Sequence, residues 1–211
     1  VQLGYGAPSR PSPTFGSPRA IGDTPVTHPL SPLAAELRRR AVRYVLIGVS
    51  GANLYGPMGQ AIFTTDDFDL LLPPDAENLV RAWVSCQTVG LEIWSNSEPL
   101  DEPRDRWLAE RIVERRALTR ARGPDELLVD LTLVMKGFDF ETVWNERREF
   151  LIDGVPVPTA RLLHIVESKQ AAGRENGQAE VMEGGLQHVE HRHVGANSIG
   201  VALQIVIKRA V

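Results

Sequence analysis

Hydrophobic residues recur along this chain at two different spacings, and these spacings predict helices and strands in alternation. Apolar residues three or four positions apart are typical of one helix face, whereas short continuous or alternating apolar runs are typical of strands. The first pattern predicts helices over residues 33–42, 76–84, 138–148 and 160–172, and another from about residue 105. The second predicts strands over residues 67–72, 91–94, 116–119 and 126–135, a short strand at 44–47 and a hairpin over 150–157.

Turn and capping residues mark the ends of several of these elements. Ser31 is an expected helix cap with Pro32 at the first helical position, because proline is tolerated there. The Asp153-Gly154 pair marks the turn of the hairpin. Thr159 is the expected cap of the helix that follows, and Gly173 is its expected end.

The two ends of the chain differ in character from its middle. Residues 1–32 are rich in proline, glycine and serine, so they are predicted to be disordered. Residues 33–175 are predicted to form the functional domain. Residues 176–211 are predicted to be an atypical tail of uncertain structure. The tail contains three histidines in a His-x-x-His-x-His pattern, and a solvated tail is preferred to a metal site because metal sites need several converging ligands.

Composition narrows the class of protein. The chain has 211 residues, of which 43% are hydrophobic and 24% charged, as is ordinary for a globular protein. A net charge of −4 gives no global electrostatic case for binding nucleic acid. A single cysteine, the absence of a long apolar run and the absence of a signal-peptide pattern lead us to expect a cytoplasmic protein that does not cross a membrane.

The most informative stretch is the acidic entry to the strand that Pro73 ends. Strand side chains alternate between faces, so Asp67 and Asp69 project to the same side, whereas Asp66 projects to the other. Two carboxylates on one face repel each other unless a cation lies between them, and Mg2+ prefers such oxygen ligands. The pair is therefore a candidate metal site, although an acidic strand entry that simply faces water is the commoner case for so short a motif.

A third carboxylate, Asp130, lies within the apolar run 126–135. Burying an unpaired charge is costly, so this aspartate needs a partner. It either lies beside a counter-charge or joins Asp67 and Asp69 around one metal site. The spacing alone does not decide between these alternatives.

Two further segments carry features that suit phosphate. The chain passes from a strand through Gly48 and Gly51 into a short helix, whose first backbone N–H groups would be free to bind phosphate. A tight turn packed against the sheet is the alternative explanation for these glycines. Lys169 and Arg174 lie near the predicted end of the last helix, where cations also favour the helix dipole.

The order of these features resembles the minimal nucleotidyltransferases of the DNA polymerase beta superfamily, including AbiE-type toxins. It consists of a Gly/Ser turn after a strand, an Asp-x-Asp in the next strand, a third aspartate in a later strand and a closing Lys/Arg pair. The resemblance spans residues 33–174. It implies an α/β (α+β) fold with a small mixed sheet flanked by helices. The chain departs from the family at Val49 and Phe63, where a second glycine and an arginine are common.

The resemblance also implies a role for each site residue. Asp67 and Asp69 would ligate two Mg2+ ions, and Asp130 would complete the metal site and help activate an acceptor hydroxyl. Gly48 and Ser50 would hold nucleotide phosphates, with Lys169 and Arg174 neutralising the triphosphate. The implied reaction transfers a nucleoside monophosphate from an NTP such as ATP to RNA or protein, and the implied partner is an antitoxin. A non-catalytic nucleotide-binding or partner-binding relative and a metal-dependent phosphohydrolase are the alternatives.

Overall fold

The computed structural model describes residues 27–56, 67–124 and 127–183, and the side chains of its last helix through Gly173. Helices and strands follow one another as the hydrophobic spacing predicts. The helices are α1 (Ser31–Arg39), α2 (Gly48–Asn53), α3 (Ala76–Thr88), α4 (Arg106–Arg115), α5 (Phe140–Glu146) and α6 (Leu162–Glu183). The strands are β1 (Val45–Ile47), β2 (Asp67–Leu71), β3 (Glu92–Ser95), β4 (Glu98–Pro99), β5 (Thr119–Arg122), β6 (Leu128–Thr132), β7 (Arg148–Ile152) and β8 (Val155–Thr159).

The strands form one mixed sheet in the order β4-β3-β5-β6-β2-β1-β8-β7. The pairs β2–β6 and β1–β8 are parallel, and the other neighbouring strands are antiparallel. The strand β2 therefore lies near the centre of the sheet, between β1 and β6. This fold is α/β, a mixed sheet flanked by helices, as the sequence predicts.

Helices cover the two faces of the sheet unequally. The helices α1, α3 and α4 pack on one face, where their apolar side chains join Leu70, Ile93, Ala121 and Val129 in the larger core. The helices α2, α5 and α6 pack on the other face, where their smaller core contains Val45, Ile47 and Leu71 but no side chain of β3 or β5. Within the described residues, the half of this second face over β3 and β5 is therefore left without a packed helix.

Three local predictions about strand and helix ends are wrong. The fifth strand begins at Thr119 rather than at Arg116, because Arg116 adopts the left-handed conformation (φ 49°) that ends α4. Thr159 does not cap α6; it is the buried last residue of β8, and its hydroxyl donates a hydrogen bond to the Val157 carbonyl. Gly173 does not end α6, since a glycine inside a helix costs only about 1 kcal/mol and the helix continues to Glu183.

The start of α1 also differs from its prediction. Ser31 lies in the first turn of α1, and Leu30 occupies the cap position without a side-chain capping bond. Leu30 is fully buried, and the backbone N–H of His28 donates to Asp153 Oδ2 at 2.8 Å. Residues before Leu33 are therefore part of the packed structure, because the Leu30 side chain belongs to the larger core. The predictions for residues 1–26 and for the three histidines of the tail lie outside the described residues.

None of the helices in the described ranges combines the length and the apolar character needed to cross a membrane.

The buried Trp83 of α3 links this helix to β5. Its ring is fully buried, and its Nε1–H donates to Thr119 Oγ1 at 3.1 Å. We expect Trp83→Phe to lower the free energy of unfolding by about 1–3 kcal/mol, because it leaves a small cavity and an unpaired buried hydroxyl. Chemical denaturation measures this change. The matched control is Trp107→Phe, which should change stability by less than about 0.5 kcal/mol because Trp107 is 66% exposed.

Candidate active site

The parallel pairing of β2 with β6 brings three aspartates together. Asp69 is the register partner of Asp130, and Asp67 lies two residues earlier on the same face of β2. One carboxylate oxygen from each side chain lies within 4.8 Å of the others. We refer to Asp67, Asp69 and Asp130 as the aspartate cluster. Three carboxylates at this separation repel each other strongly, so the site favours a cation.

The β1–α2 turn positions this cluster from one side. Ser50 is buried, and its hydroxyl donates to the Asp67 carbonyl at 2.5 Å, which fixes the beginning of β2. Gly48 has a left-handed backbone (φ 67°), and a Cβ atom on it would lie 2.0 Å from Asp69 Oδ2. Only glycine therefore satisfies both the backbone conformation and the close approach of the Asp69 carboxylate.

The counter-charge of Asp130 is Arg120, on the neighbouring strand β5. Arg120 is the register partner of Asp130. Its Nε donates to Oδ1 at 2.5 Å, and its Nη2 donates to Oδ2 at 2.7 Å. Both explanations for the buried aspartate therefore hold together: it has a counter-charge, and it also lies beside Asp67 and Asp69. Each carboxylate oxygen has a second lone pair, so the bidentate pair leaves Asp130 able to bind another group.

The ionised form of Asp69 is disfavoured in this cluster. Burial, followed by the neighbouring Asp67 charge, raises the pKa of the Asp69 carboxyl from 3.8 to about 6. The positive charge of Lys169 on α6 opposes this increase. The cluster is therefore a set of oxygen donors whose charge is incompletely balanced, which is the chemistry that suits a hard divalent cation.

A cavity of about 330 Å3 opens beside the cluster, and we call it the aspartate cavity. The sheet contributes Asp69, Asp130 and Thr132 to its lining. The helix α6 contributes one face, since its lining residues are spaced three or four apart: Ile165, Ser168, Lys169 and Ala172. Gly48 and Lys136 complete much of the remaining wall. The volume falls in the range typical of small-molecule pockets.

The structure places the predicted site residues in three groups. Asp69, Asp130, Gly48 and Lys169 line the aspartate cavity, and Asp67 joins the first two in the cluster. Ser50 is not among the described lining residues, because its hydroxyl is directed to the β2 backbone. The Arg174 side chain and Phe63 lie outside what the structure describes.

Two further residues belong to the site and were not predicted from the sequence. Arg120 holds Asp130, and Lys136 lines the aspartate cavity. The Thr-Arg-Ala-Arg pattern of β5 carries the signal for Arg120, since Thr119 and Ala121 are buried in alternation with the two arginines. Placing the strand at residues 116–119 hid that alternation. Lys136 follows β6 in a short loop, where sequence spacing gives no comparable signal.

Comparisons with solved structures find proteins of similar architecture at low identity. The antibiotic-resistance factor ANT(2'')-Ia in solution is 13% identical over 86% of this chain and 88% of its own, with a TM-score of 0.49. The crystal structure of ANT(2'')-Ia with adenylyl-2''-tobramycin is 14% identical over 86% and 97%, with a TM-score of 0.45. An antigenic nucleotidyltransferase-like protein from Paracoccidioides brasiliensis is 16% identical over 86% and 87%, with a TM-score of 0.42.

No protein-family model and no curated protein matches the sequence. At the identities and TM-scores of the solved structures, the likeness assigns neither a family nor an activity. Any functional conclusion therefore rests on the geometry of the aspartate cluster and its cavity.

The contact between Gly48 and Asp69 predicts an unusually costly glycine substitution. Gly48→Ala should destabilise the protein more than Gly90→Ala, which has a similar left-handed backbone (φ 84°) but no atom within 4 Å of the added Cβ. Both variants incur left-handed strain of about 1–2 kcal/mol, and only the first displaces the Asp69 carboxylate. Chemical denaturation of both variants measures the difference. Equal losses of stability would show that the close approach is readily relaxed.

The raised pKa of Asp69 predicts how stability depends on pH without metal. The folded pKa of about 6 exceeds the ordinary value of 3.8, so the folded state retains the proton more tightly. This group's favourable contribution is present below pH 4 and is lost as the pH rises through about 6. We expect Asp69→Asn to raise the free energy of unfolding at pH 7.5 by up to about 3 kcal/mol, and by much less at pH 4.5.

Thermal and urea unfolding in EDTA at the two pH values measure this difference between wild type and Asp69→Asn. Mg2+ should stabilise wild type at pH 7.5 and leave the variant unchanged, because the variant lacks one ligand. A variant that is less stable than wild type by the same amount at both pH values would contradict the raised pKa of Asp69.

Proposed function

We propose that this protein is a metal-dependent nucleotidyltransferase that transfers a nucleoside monophosphate from an NTP to a hydroxyl acceptor. One observation carries the proposal: Asp67, Asp69 and Asp130 converge within 4.8 Å at the edge of a cavity that Lys169 also lines. The three carboxylates would bind cations, and the lysine on the facing helix would bind the anionic triphosphate. A carboxylate cluster opposite a cation suits phosphoryl chemistry because both charges act on the same phosphate.

The donor set fits Mg2+, and the proposal assigns two ions to it. Asp67 and Asp69 would ligate both ions, and Asp130 would complete the site of one of them. Bound divalent ions of this kind supply Lewis-acid stabilisation of the attacking and leaving oxygens in an in-line displacement. The raised pKa of Asp69 supports the assignment, since burial and the Asp67 charge disfavour its ionised form and a bound cation would favour it.

Asp130 and Arg120 would prepare the acceptor. The bidentate pair with Arg120 holds the Asp130 carboxylate in one orientation beside Asp69. In the proposed reaction, the acceptor oxygen bonds to the α-phosphorus and the bond to the bridging oxygen breaks, so pyrophosphate leaves. The acceptor proton would pass to Asp130 and then to solvent. Arg120 acts here as a positioning residue, because it acts through the carboxylate that it holds.

The nucleotide would occupy the aspartate cavity with its phosphates toward the cluster. Lys169 is exposed on the face of α6 that lines the cavity, which leaves its ammonium group free to approach an anion. Gly48 would admit the phosphates close to the backbone, and Arg174 on the same helix as Lys169 would add a second positive charge. Ser50 would act indirectly, by fixing the start of β2 through Asp67.

A non-catalytic relative that binds nucleotide is the second candidate. The Arg120–Asp130 pair favours it, because a carboxylate already neutralised by a guanidinium binds a metal ion less strongly. Such a protein would bind NTP in the aspartate cavity without product formation. The finer parts of our proposal, a toxin acting on RNA or protein and restrained by an antitoxin, rest on the resemblance to the minimal nucleotidyltransferases. Its cytoplasmic location is proposed from the single cysteine of the chain.

The test is transfer of label from NTP. With Mg2+ and α-labelled NTPs, wild type should label an acceptor, while Asp67→Asn and Asp130→Asn should reduce the rate at least about a thousandfold because a ligand is lost. Glu167→Gln is the matched control, since this exposed glutamate lies on α6 but not among the cavity-lining residues. It should label at the wild-type rate.

Calorimetric titration with NTP separates the two candidates. NTP binding that needs Mg2+ but yields no labelled product with any acceptor would favour the non-catalytic relative. Labelling that survives in both aspartate variants would reject the proposed site.

A further inference from the structure

We propose that a second cavity, next to the aspartate cluster, binds a phosphate group of the acceptor, so that the acceptor is an anionic molecule. Its use by an acceptor rests on the proposed transferase function, whereas phosphate binding itself does not. The cavity has a volume of about 180 Å3. It is lined by Arg120 and Arg122 of β5, Trp94 of β3 and the polar residues 95–97 that follow it. We call it the arginine cavity.

The charge of the arginine cavity is positive. Arg120 is paired with Asp130, whereas Arg122 forms no ion pair within the described part of the chain. Glu92 is the cross-strand neighbour of Arg122, but it is exposed and does not line the cavity. No carboxylate is found among the described lining residues. The cavity therefore favours an anion over a neutral or cationic group.

Two of the hydrogen-bond donors of this cavity lack acceptors within the described residues. The guanidinium of Arg122 lies over the Trp94 ring, 4.2 Å from its centroid, and this cation–π contact favours the observed orientation of the arginine. Arg122 Nε and Trp94 Nε1 are both buried N–H groups without a hydrogen-bond partner. Unpaired buried donors are rare in native structures, and phosphate oxygens are acceptors of the kind they need. Ser95 and Ser97 add hydroxyl groups at the cavity wall.

The register of the sheet places this cavity within reach of the cluster. Trp94, Arg120, Asp130 and Asp69 are successive partners across four neighbouring strands, so their side chains lie in one row on one face. Adjacent strands are about 4.8 Å apart, and a phosphate above β5 would lie roughly 5–10 Å from the cluster. Leu118 lines both cavities. An acceptor held by its phosphate could therefore present a nearby hydroxyl to Asp130.

The half of this sheet face that no helix of the described residues covers gives the acceptor a route of its own. The helices α2, α5 and α6 pack over the β1 side of this face, where the aspartate cavity faces Lys169. The arginine cavity lies on the β3–β5 side. Nucleotide and acceptor would therefore reach the aspartate cluster from opposite sides, which is the arrangement that an in-line displacement needs.

Calorimetric titrations of the full chain in EDTA, without NTP, test phosphate binding. The probes are a 5'-phosphorylated RNA trinucleotide, glycerol 3-phosphate and neutral glycerol. We expect the two phosphates to bind, glycerol not to bind, and Arg122→Gln to weaken phosphate binding at least about tenfold. Arg122→Lys should recover part of the affinity, because it keeps the charge but loses the planar fork.

The matched control is Arg115→Gln on α4, whose apolar face packs on the opposite side of the sheet. It should bind both phosphates as wild type does, and unfolding midpoints confirm that all variants fold. Tighter binding of the trinucleotide would identify a nucleic-acid end as the source of the phosphate, and equal binding would identify a small phosphorylated acceptor. Equal affinity of wild type and Arg122→Gln, or no phosphate binding by wild type, would overturn the proposal.

A kinetic measurement keeps this proposal separate from the proposed function. With Mg2+ and labelled NTP, Arg122→Gln should raise the KM for the phosphorylated acceptor about tenfold and leave the KM for NTP unchanged. An increase confined to the KM for NTP would overturn the acceptor assignment. If wild type labels no acceptor, the transferase function fails, while the EDTA titrations still decide whether the arginine cavity binds phosphate.

Discussion

Mutual repulsion among Asp67, Asp69 and Asp130 is the constraint around which the site is arranged. Their carboxylate oxygens lie within 4.8 Å of one another. Burial, and after it the neighbouring Asp67 charge, raises the pKa of the Asp69 carboxyl to about 6. The described residues compensate this repulsion only in part. Arg120 neutralises Asp130 from the adjacent strand, and Lys169 acts on Asp69 from α6. The charge that remains is what a bound divalent cation would balance.

The sheet makes this unfavourable arrangement tolerable by holding it rigidly. The larger core under α1, α3 and α4 fixes β2, β5 and β6 from behind, through side chains such as Leu70, Ala121 and Val129. Because strand side chains alternate, the same strands present their charged residues on the other face. The larger core thus lies on one face of the sheet and the aspartate cluster on the other, so a core mutation that shifts these strands also shifts the cluster.

Arg120 connects the two cavities of this second face. It lines the arginine cavity and also holds both oxygens of Asp130, which lines the aspartate cavity. An anion bound near Arg120 would compete with Asp130 for the Arg120 guanidinium. The negative charge of Asp130 would then be less fully neutralised. The affinity of the arginine cavity for an anion would therefore be coupled to the affinity of the aspartate cluster for a cation.

The sequence by itself determined the alternation of strands and helices and the shared face of Asp67 and Asp69, because both follow from local periodicity. It also showed that Asp130 needed a partner, since a charge stood alone in an apolar run. Only the tertiary structure decided which partner, because the parallel β2–β6 register and the position of β5 are non-local. The approach of Gly48 to Asp69 and the pairing of Arg122 with Trp94 are likewise contacts between segments far apart in sequence. Local spacing carries no record of them. The sequence therefore predicted a candidate metal site at the acidic strand, and only the tertiary structure placed β1, β5 and β6 around it.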